Sequence, residues 1–523
     1  MLMVKALAGT GKTTNILWGL GVRVPKGIVC SPEQKAIAFH MRVYKWETCA
    51  AMAFNTSIAK VLEQRVPEGV QAATSNAFGH RAWLKHTGKG FIRPEAYKNQ
   101  MIAKELMGTS LPWKERIAIE NAVSRLVALC KCNLVDPTPK MLMRLADEFD
   151  IESSLAIFDY ARQVYDVGVK NFELIDYDDQ NFMPLYHEID LPQYDLVVVD
   201  ESQDLNRAKQ EMAFRSARGS IVAVGDENQA IYGFSGADSN SMNNMYARMV
   251  DISNGEAITL PLTTTYRCPK AVVAEANKYV PDLRAHKSAP DGTVRRISER
   301  EAVKELMREE EGSMILCRTN APLTSLAFRM IADNRRCFIQ GKDIGKGLAR
   351  EITKHGQQSL KIALKMAIDS IEKRIDKAQK ATFPSDTKIE AYQDKINCLQ
   401  LLCGTSDSIS EFETKVDQLF KDYGSPNDHQ LSTVHKAKGL EKRKVVIYKP
   451  SKLPMIFKSA KRSKKRGQSS MQIQQERNLA YVAYTRAMDT LTFAEEGSDK
   501  DISTDELVDM NDSGSDEQEG ELE

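Results

Sequence analysis

Gly9, Gly11, Lys12 and Thr13, within ALAGTGKTT (6–14), have the types and spacing of a phosphate cradle. An apolar run, MLMVKALA, precedes the glycines, and NILWGL begins a helix after them. A strand, a glycine turn and a helix N-terminus aim backbone N–H groups at an anion. The glycines let the backbone close on phosphate. Ala6 stands where the usual pattern has its first glycine. Ala8, Gly9, Thr10, Gly11, Lys12, Thr13 and Thr14 are the expected nucleotide contacts, with Lys12 on the β- and γ-phosphates and Thr13 on Mg²⁺.

A second stretch, YDLVVVDESQD, carries an apolar strand to its polar edge and delivers two carboxylates there. Asp200 is placed to hold Mg²⁺ through water. Glu201 is placed to orient and deprotonate an attacking water. A polar cap at a strand end would look similar, but its pairing with a phosphate loop favours nucleotide hydrolysis with ATP and Mg²⁺ as cofactors.

Elements must bring these groups together. DLVVVDES, SIVAVGDENQ, SMILCRTN and KVVIYKP read as buried strands ending in polar turns. Two lie in each half of the chain, which predicts an α/β fold with two parallel-sheet lobes. Residues 86–190 and 350–428 have helical periodicity instead. Ile368, Ile371, Ile375 and Ala378 form one apolar stripe. After a break at FPSD, Ile389, Tyr392, Ile396 and Leu399 form another, so a helical hairpin is expected. The expected division is 1–85 with 191–258 as the ATP-binding lobe 1A, 86–190 as insertion 1B, 259–349 with 429–494 as lobe 2A, 350–428 as insertion 2B, and 495–523 as a disordered acidic tail.

The formal net charge of +1 hides an asymmetry. Residues 495–523 hold 13 acids and one lysine; the remainder holds 71 basic and 58 acidic residues. A basic body attracts a polyanion such as nucleic acid, and the tail offers a surface for a protein partner. FKSAKRSKKRGQ, with six basic residues from Lys458 to Arg466, reads as a charged loop with nonspecific DNA affinity. The nine cysteines lack metal-site spacing, so buried thiols in a reducing compartment are expected. No apolar run is long enough for a membrane span. A cytoplasmic setting in a bacterial or phage-infected cell is expected, or a nuclear one in a eukaryote, with the chain monomeric or weakly self-associating.

AGTGKTT, DESQD, VGDENQAIYGFSGA, TTTYRCP, TVHKAKGLE and ERNLAYVAYTRA occur in this order up to about residue 493. Together they resemble the helicase motifs of the UvrD/Rep-like superfamily 1A. FNTSIAK adds a likeness to its small phage-type and F-box-type members. The resemblance implies two RecA-like P-loop lobes, each carrying a mainly helical insertion. It also implies an ATP-dependent DNA helicase moving 3′→5′ on single strands and acting at single-strand/duplex junctions. Gln229 would sense the γ-phosphate, and Arg267 and Arg486 would act as arginine fingers. Tyr266 would stack on adenine; Gly439 and Glu441 would lie at the nucleotide, Glu441 on the ribose. Tyr232, Phe234 and Phe54 would stack on bases, with Thr74, Asn76, Thr433 and His435 on the DNA backbone.

Three departures accompany the resemblance. Ser235 and Asn76 replace residues common in the family. The adenine-reading glutamine, expected upstream of the phosphate loop, has almost no chain to occupy there, so either the chain starts late or Tyr266 holds adenine alone. Two rival readings are a translocase that strips proteins from DNA without efficient unwinding, and a catalytically weak DNA-binding or recruitment module.

Overall fold

The computed structural model describes residues 1–24, 30–53, 55–108, 112–149, 151–231, 233, 240–354, 359–380, 386–456 and 470–496. Six strands make the first sheet: β1 (Leu2–Ala6), β2 (Cys49–Ala53), β3 (Val70–Thr74), β4 (Tyr194–Val199), β5 (Ala217–Gly225) and β6 (Ile258–Leu262). They lie in the order β3-β2-β4-β5-β1-β6, and every pairing is parallel. Leu2, Met3, Val4 and Ala6 are all buried, because helices cover both faces of a parallel sheet and a central strand must be apolar throughout. β4, β5 and β1 are neighbours, so the segments after their C-terminal ends converge on one edge.

After the short pair β7 (Thr264–Thr265) and β8 (Arg284–Ala285), a second sheet forms. It contains β9 (Thr293–Ser298), β10 (Met314–Cys317), β11 (Cys337–Gln340), β12 (Phe420–Lys421), β13 (His429–Thr433), β14 (Lys442–Tyr448) and β15 (Ala487–Glu495). Their order is β12-β11-β13-β10-β14-β15-β9, again parallel throughout. The expected α/β class with two parallel-sheet lobes is what the chain adopts.

The helical stretches also form. Helices Lys98–Met107, Trp113–Asn133, Pro139–Glu148, Leu155–Lys170 and Asp179–Tyr186 pack around Val123, Leu126, Val127, Leu142, Ala161 and Val164. In the second block, Leu360–Lys380 packs against Asp386–Gly404 with Ile371, Ile396 and Leu399 buried between them. Ile368, Ile375 and Tyr392 flank that seam. Residues 381–385, which include most of FPSD, lie outside the described residues, as do the basic stretch 457–469 and the tail 497–523. The second block begins earlier than its periodicity indicates, with helix Lys342–Thr353. Among the described residues, no helix is long and apolar enough to cross a membrane.

Candidate nucleotide and nucleic-acid site

β1 ends at Ala6, and the chain then turns through Gly9 (φ 68°) and Gly11 (φ 81°), both in the left-handed region that glycine tolerates. A Cβ on Gly9 would lie 2.5 Å from Thr265 Oγ1, so the loop also needs glycine for close approach. Tyr266 N–H donates to Gly9 O at 2.9 Å, and Ala8 N–H donates to Tyr481 Oη at 2.9 Å. Thr10 Oγ1 donates to Leu7 O. Lys12 opens the helix Lys12–Gly19, with Thr13 and Thr14 half-buried in its first turn. The phosphate cradle is thus built on one lobe and braced by segments from later in the chain.

Lys12 Nζ lies 3.2 Å from the Glu201 carboxylate, and Thr13 Oγ1 donates to Asp200 Oδ2 at 3.2 Å. Glu201 sits in the left-handed region (φ 52°), an uncommon place for a non-glycine residue. Gln203 Nε2 donates to the Glu201 carboxylate, while its Oε1 accepts from Asp226 N–H. Burial, then the charge of Glu201, pushes Asp200 up to about 6. Burial also opposes ionisation of Glu201, but Lys12, Lys438 and the Gln203 amide outweigh it and hold that carboxyl at about 2. Burial raises Asp204 to about 6 and raises Asp226 as well. On Lys12, burial is outweighed by Glu201, Asp226 and Asp200, and its pKa rises.

This pocket concentrates more anionic groups than its own lysines balance, which suits a divalent cation at Asp200 and Thr13. The donors are hard oxygens, as Mg²⁺ requires. Among the described residues, no group of three His, Cys, Asp or Glu could cage a metal alone.

The other lobe reaches into the same pocket. Arg486 is buried, with Nη2 3.4 Å from Gln229 Oε1, Nε donating to Val482 O and Nη1 to Leu440 O. Burial, with Arg267 nearby, lowers it to about 10. Gln229 Nε2 donates to Asp226 Oδ2 at 2.7 Å, which fixes the glutamine after β5. Lys438, in the turn after β13, donates to Asp204 Oδ2 at 2.5 Å and to Gln229 O at 2.6 Å. Arg267 pairs with Glu441, and Gly439 (φ 87°) makes the turn between Lys438 and Glu441. Lys438, Asp204, Gln203 and Asp226 complete this pocket. All four lie inside the stretches that flag the chemistry, but their pairing is set only by the tertiary fold.

Gln34 was not flagged by its sequence position. It lies in the first turn of helix Pro32–Val43, locked by a capping box with Ser31. Its Nε2 donates to Thr10 O at 3.1 Å, and its Oε1 accepts from Tyr266 Oη at 3.2 Å. A glutamine amide therefore stands between the phosphate loop and Tyr266, delivered by a segment downstream of the loop. His286 stacks on Tyr266 at 4.7 Å between centroids. SPEQ, an N-cap serine followed three residues later by glutamine, was the available signal.

Of the residues expected on nucleic acid, Thr74 ends β3 and caps helix Ser75–Thr87, its Oγ1 accepting from Ala77 N–H. Asn76 Nδ2 donates to Tyr177 O at 2.6 Å and to Gln180 Oε1, and its Oδ1 accepts from Asn181. Both side chains are thus engaged in tying this corner to the first helical block. Tyr177 itself is 57% exposed, an aromatic that the acidic run DYDD conceals in the sequence. Thr433 is buried at the end of β13. Burial, then Arg318, holds half-buried His435 neutral, down to about 3. Phe54, Tyr232, Phe234 and Ser235 lie outside the described residues.

The turn that carries Tyr177 is fixed from beneath. Lys98 Nζ contacts Asp179 at 2.6 Å and Gly168 O, and Lys131 Nζ contacts Asp176 at 2.7 Å and Asp179 at 2.8 Å. Lys98, Lys131, Asp176 and Asp179 are all buried, so each charge must be paired to be tolerated there.

Residues 1–249 match the UvrD/REP helicase N-terminal domain, and residues 367–496 match the UvrD-like helicase C-terminal domain. The chain is also similar to F-box DNA helicase protein 1 of Schizosaccharomyces pombe, at 24% identity over 536 aligned positions. The alignment covers 93% of this chain and 54% of that relative, so the chain spans about half the length of the curated relative it matches. Domain matches in both lobes, two parallel sheets and a phosphate loop facing paired acids agree: the chain belongs to the UvrD/Rep-like helicases of superfamily 1.

Proposed function

We propose that this chain hydrolyses ATP with Mg²⁺ to move 3′→5′ along single-stranded DNA and to open duplex at a junction. The observation that carries this reading is the shared pocket, where Lys12, Glu201 and Gln229 meet Arg486 and Lys438 from the other lobe. A γ-phosphate there would interact with both lobes, so its arrival favours closure and its loss favours opening. Repeated closure is what a translocating motor needs.

Each residue has a role that its environment supports. Lys12 neutralises Glu201 until a phosphate offers a second anion. Glu201, ionised at neutral pH, orients water and accepts its proton. Arg486 and Arg267 stabilise charge on the transferred phosphoryl group. Asp200 and Thr13 would hold Mg²⁺, which neutralises phosphate charge when bound. Tyr266 stacks on the base, Gln34 reads its edge, and Glu441 leaves Arg267 for the ribose. Residues 1–85 with 191–258 and 259–349 with 429–494 act as the motor lobes, with 86–190 and 350–428 as insertions.

Strand displacement on duplexes with a 3′ or a 5′ single-stranded tail tests the reading. Displacement of the 3′-tailed duplex alone is expected. Preference for the 5′ tail overturns the polarity, and DNA-stimulated hydrolysis without displacement of either substrate leaves a translocase that does not unwind.

A further inference from the structure

Residues 85–97, KHTGKGFIRPEAY, leave the first lobe for the helical block and combine exposed cations with exposed rings. Phe91 is 74% exposed and Tyr97 54%. Lys85, Lys89 and Arg93 are exposed between or beside them. Among the described residues, neither Lys85 nor Arg93 has a carboxylate within ion-pair distance. Large aromatic faces left in water on a small loop call for an explanation beyond packing.

The loop is held in a definite place. Lys89 Nζ pairs with Glu173 at 2.8 Å, and Glu95 N–H donates to Ile175 O at 2.7 Å. Asn99 Nδ2 donates to Asp176 Oδ2 at 3.0 Å, and Asn76 Nδ2 donates to Tyr177 O at 2.6 Å. Residues 173–177 therefore run as a rail from the loop to the Thr74–Asn76 corner, a reach of at most about 13 Å. That leaves room for at most about four stacked nucleotides at 3.4 Å each. The buried Lys98 and Lys131 pairs pin one end of the rail. Trp83, stacked on Phe172 at 5.1 Å and on His86 at 5.6 Å, stiffens the other.

We propose that Phe91, Arg93 and Tyr97, with Tyr177 at the inner end, form an outlying track for single-stranded DNA that extends the path beyond the motif residues. This inference rests on the DNA-motor reading above. Rings supply sequence-tolerant stacking faces, and Arg93 between them, with Lys85 beside them, meets phosphates. A protein-docking patch would instead be apolar at its centre and depleted of charge; here Arg93 lies between Phe91 and Tyr97, with Lys85 and Lys89 beside them.

The test uses the full chain and oligothymidylate probes of about 8 and about 30 nucleotides, one within and one well beyond a single-strand site of roughly 4–16 nucleotides. Phe91→Ala/Tyr97→Ala should weaken binding of the long probe by about fivefold or more and the short probe by less than about twofold, from stacking lost outside the main path. Phe91→Tyr/Tyr97→Phe keeps both rings and should bind as the parent does. Arg93→Gln should reduce the slope of log affinity against log salt by about 0.7, the loss of one phosphate contact on a single strand. DNA-stimulated hydrolysis at saturating DNA should be unchanged in all three. Parental affinity of the alanine variant for the long probe, together with an unchanged salt slope for Arg93→Gln, overturns the inference and leaves the motor reading intact. Equal losses on both probes, or a loss confined to duplex DNA, overturn it as well. If the parent binds neither probe and shows no DNA stimulation, the motor reading fails with it.

Discussion

Lys438→Met should slow DNA-stimulated hydrolysis, and the defect should deepen with pH. Lys438 and Asp204 join opposite lobes as a nearly dry ion pair, with side chains 8% and 1% exposed. Removing the lysine leaves Asp204 buried without its counter-ion. The carboxyl escapes the full cost of an unpaired buried charge by taking a proton, and this limits the penalty. Asp204 already lies at about 6, raised above 3.8 by burial despite Lys438. Because its pKa is raised above that of a solvated carboxyl, the folded form that joins the lobes is favoured most at low pH. It loses ground as pH climbs from 3.8 to about 6 and levels off above that. At pH 7 this already costs about 3 kcal/mol, at 1.36 kcal/mol per unit. Without Lys438, levelling off is postponed. A carboxyl held neutral at pH 7 costs about 4.4 kcal/mol, so the variant is worse by about 1.4 kcal/mol, or tenfold. At pH 8 the difference grows to about 2.7 kcal/mol, roughly a hundredfold. Phosphate release with saturating single-stranded DNA, measured as kcat/KM relative to the parent at pH 7 and pH 8, reads this directly. Lys438→Met/Asp204→Asn removes the unpaired charge and should recover most of the loss and its pH dependence. An equal relative defect at both pH values, or no recovery in the double variant, would refute the coupling.

Glu201→Gln keeps the side-chain shape but removes the base; hydrolysis should fall to background while equilibrium ATP binding persists, and near-normal turnover would remove Glu201 from that role. Gln34→Ala should bring GTP hydrolysis within about tenfold of ATP, about 1.4 kcal/mol, because stacking on Tyr266 alone does not distinguish purines; parental selectivity in kcat/KM would assign base reading elsewhere. Lys131→Met strands Asp176 in the core, leaves Asp179 with Lys98 alone, and should destabilise the first helical block by about 3–5 kcal/mol. Thermal unfolding reads this as a fall of about 6–20 °C if the block melts together with the first lobe as a unit of roughly 250 residues, and an unshifted transition would mean that the network is not essential to its stability.

The phosphate loop and the DES turn were legible because their chemistry requires particular residues at fixed short spacings. The strands LVVV and MILC were legible because a doubly covered parallel strand is apolar throughout. The hairpin seam followed from 3.6-residue periodicity at Ile371, Ile396 and Leu399. Helix Lys342–Thr353 was obscured by Gly341, Gly345 and Gly347, which weaken helix propensity. Gly345 is there for packing, since a Cβ would come 2.8 Å from Phe420 Cβ. Gln34 was hidden because its position beside Tyr266 arises from a contact 232 residues apart in sequence. Nothing local marks Lys98 and Lys131 as buried, and only the tertiary fold shows their aspartate partners. Short-range chemistry is written locally; pairing across the chain is not.

The most direct test of the central claim is steady-state phosphate release from ATP and Mg²⁺ with and without single-stranded DNA, in the parent and in Arg486→Ala. If DNA draws the two lobes around one γ-phosphate, it should raise the parental rate at least about tenfold. Loss of the arginine should cut the DNA-stimulated rate by about 10³ or more, as for arginine fingers in other phosphoryl-transfer enzymes. Equal parental rates with and without DNA, or an Arg486→Ala chain that DNA stimulates as fully as the parent, would contradict a nucleotide site shared between the lobes.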